Sequence, residues 1–354
     1  MILASCSPSL ESRLDRVLKP VFPEGQPGAA VLVMKGDSIL YDKGFGLANM
    51  ETGAHLDGDT PMNVASVSKQ FTAVAVLQLV QEGKVSLEDP VSKYFPEFES
   101  GIWEEISLAH LLSHSSGVPD ERDYLTREQK IYADDTLSVE YMKTLDHRNF
   151  APGTAYEYVN PTYTLLGFLI ERVSGEPFIE YMQKHVLQPA GMDKSYYFDR
   201  DHQNPAAAHG YVSIDDSWQE LDFGEEAFFA TRPDGGLYTT THEYVKWIKA
   251  LRSGAVLDKD LLTLAMTPHT EASYSHWSDY QNRANTWYGY GWFIEPAKGG
   301  APQRIYHPGD NGGFRILAAG YPVGDLCVLV FSNRADWDRY DLYMKLEKEL
   351  LTTN

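Results

Sequence analysis

Cysteine is nearly absent from this 354-residue chain, which holds only Cys6 and Cys327. Two cysteines build no disulfide framework and leave a structural zinc site without its usual ligands. Positive charge is also scarce: 30 Lys and Arg face 50 Asp and Glu, a formal charge of −20. Such a surplus repels phosphate backbones and anionic lipid, which sets aside nucleic acid and membrane surfaces as partners. No run of 18 apolar residues occurs, so no segment reads as a transmembrane helix. Gly/Ser linkers, internal repeats and low-complexity tracts are missing too. A length suited to about two domains of roughly 150 residues therefore reads better as two lobes sharing a cleft. What is present is ordinary globular composition, 43% hydrophobic and 12% aromatic.

The apolar runs and turn signals sketch an architecture. Ala29 to Met34, the turn Lys35-Gly36-Asp37 and Ser38 to Tyr41 predict a β-hairpin. Arg315 to Tyr321 and Leu326 to Phe331 flank Pro322-Val323-Gly324-Asp325 as a second hairpin, followed by a helix over Arg339 to Leu351. Helical patterns fill the middle, among them Thr162 to Val173 and Pro177 to Val186. Strands at both ends and helices between predict an α/β fold of α+β type. An antiparallel sheet built from both chain ends is flanked by helices, with a mostly helical lobe inserted. The expected division is an N-terminal segment, 1–20, and one unit over 21–354. Its α/β lobe takes about 21–75 and 230–354, and its helical lobe about 76–229. At the start, Leu3-Ala4-Ser5-Cys6 resembles the lipobox that closes a bacterial lipoprotein signal, although a basic n-region is missing and the apolar run is short. The expectation is a possible lipid tether at Cys6, and a bacterial envelope or periplasmic location in preference to the cytoplasm; a frayed terminus is the alternative.

Three short segments carry the chemistry. Ser66-Val67-Ser68-Lys69 opens a segment whose five consecutive apolar residues, Ala73 to Leu77, leave no polar face, so the helix is expected to be buried on nearly all sides. At i and i+3, Ser66 and Lys69 share a face of its first turn. A lysine desolvated there, at the positive end of the helix dipole, is pushed toward the neutral form that accepts a serine proton. The bland alternative is a helix cap and a lysine reaching out to water. Tyr158-Val159-Asn160 follows the turn Pro152-Gly153-Thr154 and supplies a phenol for acid/base work and an amide for hydrogen bonding. A second Tyr-x-Asn, Tyr280-Gln281-Asn282, lies in a polar, aromatic-rich stretch with no helix head nearby and is set aside. His307-Pro308-Gly309-Asp310 leads into the C-terminal hairpin, where glycine beside a strand edge lets a ligand approach the backbone.

Together, and in this order, the three segments resemble the serine β-lactamase and penicillin-binding-protein superfamily. The nearer resemblance is to the class C β-lactamase-type branch, with its family VIII carboxylesterases, D-aminopeptidases and D-Ala-D-Ala carboxypeptidase-like enzymes. It extends over about Pro27 to Asn333 and takes in Leu111 to Pro119, Pro189-Ala190-Gly191-Met192, Gly235 to Thr240 and Tyr288 to Trp292. The class A pattern pairs Ser-x-x-Lys with Ser-Asp-Asn and Lys-Thr-Gly, and this chain has neither of the last two. The resemblance implies a serine hydrolase that needs no cofactor and no metal. It implies Ser66 as acylated nucleophile, Lys69 as its proton partner, Tyr158 as proton shuttle and Asn160 as orienting amide. The backbone N–H groups of Ser66 and Asp310 would form the oxyanion hole beside the His307–Gly309 edge.

Departures from the pattern bear on substrate. His307 stands where true class C β-lactamases have a lysine that holds the substrate carboxylate, and histidine is mostly neutral near pH 7. Asp310 beside the pocket would repel a carboxylate if its side chain faced the cleft. Both features favour small ester, amide or peptide substrates, including those with a free amine, over β-lactams and D-Ala-D-Ala termini. The alternatives are a β-lactamase or D-Ala-D-Ala carboxypeptidase proper, or a protein that binds penicillin or peptidoglycan without turnover. An α/β-hydrolase lacks its Gly-x-Ser-x-Gly here. A zinc hydrolase has only His110 and His114, with Leu111 where its glutamate belongs.

Overall fold

The computed structural model describes residues 8–120, 125–201, 203–222, 228–272, 285–300, 302–321 and 325–351. Cys6, the turn at 322–324 and Tyr280-Gln281-Asn282 lie outside the described residues. The frame is an eight-stranded sheet. β1 (Ala29–Lys35) and β2 (Ser38–Phe45) join β3 (Thr270–Glu271), β4 (Trp287–Tyr288), β5 (Phe293–Glu295), β6 (Arg304–Asn311), β7 (Phe314–Tyr321) and β8 (Leu326–Ser332). The spatial order is β3-β4-β5-β6-β7-β8-β1-β2, with every neighbouring pair antiparallel. β1 pairs with β8 from Ala29↔Ser332 to Lys35↔Leu326, so the two chain ends meet inside one sheet, as the two hairpins predicted.

Central strands read as unbroken apolar runs because both faces are covered. Ala30, Leu32 and Met34 of β1, with Cys327, Leu329 and Phe331 of β8, face the same core as helix α2 (Ser68–Gln81). The alternate residues, Ala29, Val31 and Val33 with Leu326, Val328 and Val330, pack on the opposite side. There they meet Leu14 and Leu18 of α1 (Leu10–Leu18). Helix α3 (Asn160–Ser174) buries Leu165, Leu166, Leu169 and Ile170 in the first core, and α4 (Thr241–Ser253) covers it with Tyr244 and Trp247. The last helix, α5 (Arg339–Leu351), occupies the expected residues and adds Leu342 and Leu346 to the second core. Each large aliphatic side chain so buried contributes about 1.5–3 kcal/mol. No helix of the described residues is long and apolar enough to cross a membrane.

Two local departures from the sequence expectation matter. Ser66 sits not in the helix but in a short 3₁₀ turn, Ala65–Val67, and α2 begins at Ser68. Ala65 there has φ +48°, a left-handed conformation costing an alanine about 1–2 kcal/mol. The helix expected over Pro177 to Val186 is a single turn, Phe178–Tyr181, that widens into a π-helical turn over Met182–Leu187.

Candidate active site

The turn that carries Ser66 is held from both sides. The Asn63 side chain accepts from the Ala65 N–H at 2.8 Å, and the Val64 N–H donates to the Leu237 carbonyl at 2.9 Å. Three residues on, Lys69 is fully buried (0% exposed) at the head of α2. Its Nζ lies 3.2 Å from Ser66 Oγ, 2.6 Å from Asn160 Oδ1 and 2.8 Å from the main-chain carbonyl of Asp234. Burial on all sides, legible in the apolar run of α2, is what keeps Lys69 from reaching water.

Tyr158 and Asn160 arrive on the extended segment that leads into α3, with Asn160 its first residue. Lys69 Nζ lies 5.0 Å from the Tyr158 ring centre and 5.6 Å from that of Tyr163. Around them gathers an aromatic cluster of Tyr156, Tyr163, Tyr288 and Phe293 with the rings of His114 and His307. Burial pushes the Tyr156, Tyr163 and Tyr288 hydroxyls well above their ordinary range, so all three stay protonated.

β6 forms the opposite wall. Its Gly309 lies so close to the Ser66 turn that an added Cβ would stand 2.4 Å from the Val64 carbonyl oxygen and 3.1 Å from Ala65 Cβ. Glycine is required there by close approach. His307 is fully buried, and its pKa falls to about 3, chiefly through burial and next through the charge of Lys69. Its Nδ1 donates to the Pro308 carbonyl at 2.6 Å, which leaves Nε2 to accept from the Tyr288 hydroxyl at 3.0 Å. The imidazole is thus a neutral member of the wall.

Of the two directions open to it, Asp310 takes the one away from the cleft. Side chains alternate along a strand, so with His307 and Gly309 toward Ser66, Asp310 points to the opposite layer. Its Oδ1 accepts from Arg339 Nη2 of α5 at 2.5 Å and from Arg315 Nε at 3.1 Å. The carboxylate is neutralised by two guanidinium groups on the far face and does not repel substrate in the cleft. Only the backbone of Asp310 remains beside the Ser66 turn.

His110 and His114 do not form a zinc site. Helix Leu108–Leu112 ends before His114, which has φ +54°, so the i, i+4 geometry is lost. His110 Nδ1 accepts from the Ser107 N–H and His114 Nδ1 from the Val159 N–H, each at 3.2 Å. Each Nδ1 lone pair is spent on a different part of the backbone.

The Beta-lactamase family model matches residues 15–352. The chain belongs to this family. Among related proteins, the putative penicillin-binding protein PbpX of Bacillus subtilis is 28% identical over 328 residues, covering 91% of this chain and 73% of that protein. Protein flp of Staphylococcus aureus is 28% identical over 246 residues, covering 68% of this chain. This chain spans about half of its length, 48%. The solved penicillin-binding protein of Bacillus halodurans superposes with a TM-score of 0.81 at 28% identity, covering 95% of this chain and 98% of that one. Within this Beta-lactamase-family frame, the structure brings Ser66, Lys69, Asn160 and the Tyr158 ring together, with His307 and Gly309 on the facing strand. Sequence reasoning missed Asn63, Tyr288 and the Asp234 carbonyl. Asn63 carries a local signal, since a short amide before a turn commonly bonds the backbone two residues on. The other two come from distant segments and carry none.

Proposed function

We propose that this chain is a serine acyl hydrolase that cleaves esters or amides through a Ser66 acyl-enzyme. The observation that carries the reading is the fully buried Lys69, whose Nζ joins Ser66 Oγ to Asn160 Oδ1. Attack needs the free-amine form of Lys69, in which its two N–H groups hold Asn160 and the Asp234 carbonyl and its lone pair faces the Ser66 hydroxyl. Ser66 Oγ then bonds to the substrate carbonyl carbon while its proton passes to the Lys69–Tyr158 pair. The carbonyl π electrons move onto oxygen, where the N–H groups of Ser66 and Asp310 hold the negative charge. Collapse re-forms the carbonyl and expels an alcohol or amine that takes the proton from Tyr158. Water repeats the sequence and frees Ser66 with release of the acid.

A neutral His307 leaves that position without a cation for a substrate carboxylate. This supports neutral esters and amides, D-amino-acid amides among them, over β-lactams and D-Ala-D-Ala termini. The penicillin-binding names of the relatives support an envelope location. Intact mass after incubation with a fluorophosphonate tests the mechanism: wild type gains one adduct and Ser66→Ala gains none. A wild type without adduct overturns it, and a penicillin adduct that never discharges replaces it with a sensor. A panel of p-nitrophenyl acyl esters, D-amino-acid amides and a chromogenic cephalosporin tests the substrate class, which fails if the cephalosporin shows the highest kcat/KM.

A further inference from the structure

His114 is an expensive residue for a core. It adopts φ +54° without being glycine, a left-handed conformation that strains a side chain. Its Nε2 is buried and has no hydrogen-bond partner among the described residues, which leaves its lost hydration uncompensated. A leucine would fill much of the space without the orphaned polar atom. Strained and unsatisfied groups of this kind persist where placement matters.

What His114 places is the segment bearing Tyr158. The Glu157 N–H donates to the His114 carbonyl at 3.0 Å. The Val159 N–H donates to His114 Nδ1 at 3.2 Å. These are the two N–H groups that flank Tyr158, and both end on one residue. The left-handed backbone makes this possible by directing the carbonyl and the ring of His114 to the same neighbouring extended segment. The imidazole also lies along the Tyr158 ring, with centres 4.2 Å apart and planes tilted by 36°. Asn160, the next residue after the clamped Val159, meets Lys69 Nζ. A shift of this segment would therefore move the Tyr158 hydroxyl and the Asn160 amide together. Nδ1 accepts this hydrogen bond only while the ring is neutral. Burial, helped by the charge of Lys69, holds the His114 pKa well below the ordinary histidine range, which keeps the ring neutral near pH 7.

We propose that His114 is a positioning residue for acyl transfer: its carbonyl and its Nδ1 clamp the N–H groups on either side of Tyr158 and so set Tyr158 and Asn160 against Lys69 and Ser66. The proposal rests on the serine-hydrolase reading. It is tested with His114→Leu and His114→Asn, which have nearly the same shape; the Asn Oδ1 falls near the place of Nδ1 and restores the acceptor. For p-nitrophenyl ester hydrolysis, His114→Leu lowers kcat about 10²-fold, as a displacement near 1 Å does, with KM changed less than about threefold. His114→Asn recovers about tenfold of that loss. Amide hydrogen exchange at residues 157–160 quickens in His114→Leu and less so in His114→Asn. Melting curves confirm that both variants are folded at the assay temperature. A folded His114→Leu that keeps kcat within about threefold overturns the proposal, as does an equal loss in both variants. A wild type that forms no fluorophosphonate adduct overturns the hydrolase reading and this proposal with it. A reactive wild type whose variants react as fast overturns this proposal alone.

Discussion

Arg339 is 1% exposed, and Asp310 is its carboxylate partner. Taking a guanidinium out of water is tolerable only with a charge partner in place, so the role of Asp310 is structural. Asp310→Ala is expected to lower unfolding free energy by about 3 kcal/mol, the usual cost of removing one partner of a buried ion pair. It is not expected to change the preference between neutral and carboxylate-bearing esters. Urea unfolding and the ratio of the two kcat/KM values check both halves. A variant that gains carboxylate-bearing substrates would restore the repulsive role first read from its position. His307 acts on the other face and by absence of charge: neutral down to about pH 3, it offers a substrate carboxylate nothing.

At the scale of elements, the proposed catalytic geometry depends on how closely β6 approaches the turn Ala65–Val67. Gly309 sets that approach, and Gly309→Ala would force the strand away from the Val64 carbonyl. The two proposed oxyanion donors sit on the two sides of this gap. The expected result is a kcat loss of about 10²-fold, comparable to losing one oxyanion donor. Stability should fall by only about 1–3 kcal/mol, as for other overpacked sites. Steady-state kinetics beside urea unfolding separate the two effects; unchanged kcat would mean that the gap does not hold the oxyanion. A second element closes nearby. The hairpin of Tyr211–Ile214 and Ser217–Glu220 is tied at its base by His209, whose Nδ1 lies 3.1 Å from Glu220 Oε1 and 3.2 Å from Asp222 Oδ2. Just beyond it, the Leu221 carbonyl accepts from the Gly313 N–H in the turn after β6.

For the whole molecule, histidines shape the dependence of stability on pH. The hydrogen bond to Asp222, aided by the charges of Asp222 and Glu220, raises His209 to about 9. Its contribution is complete below about 6.5 and is lost as pH rises from there through 9. His307 and His114 work in the opposite sense. Both are depressed by burial first, so the unfolded chain binds protons that the folded chain refuses, and stability is lost as pH falls below 6.5. Asp135, raised by burial to about 6, opposes them between roughly 4 and 6, while His110 and His269, also lowered by burial, act with them. Urea midpoints should therefore peak near neutrality, and His209→Gln should flatten only the alkaline side. An unchanged alkaline side would rule out the His209 ion cluster as its cause. As for what was legible without the structure, local patterns sufficed for the terminal strands, the last helix and the burial of α2, because side-chain period and apolar runs are properties of neighbouring residues. They also supported Ser66, Lys69, Tyr158 and Asn160 as candidates, through spacing and family resemblance. Even the direction of Asp310 lay within reach, since a strand that turns Gly309 to the cleft turns the next residue away. Tertiary structure alone decided that Lys69 meets the Asp234 carbonyl, that Tyr288 holds His307, and that His114 brackets Tyr158. Those contacts join segments about 19 to 165 residues apart, and no local pattern encodes which distant backbone will supply the partner that a buried polar group requires.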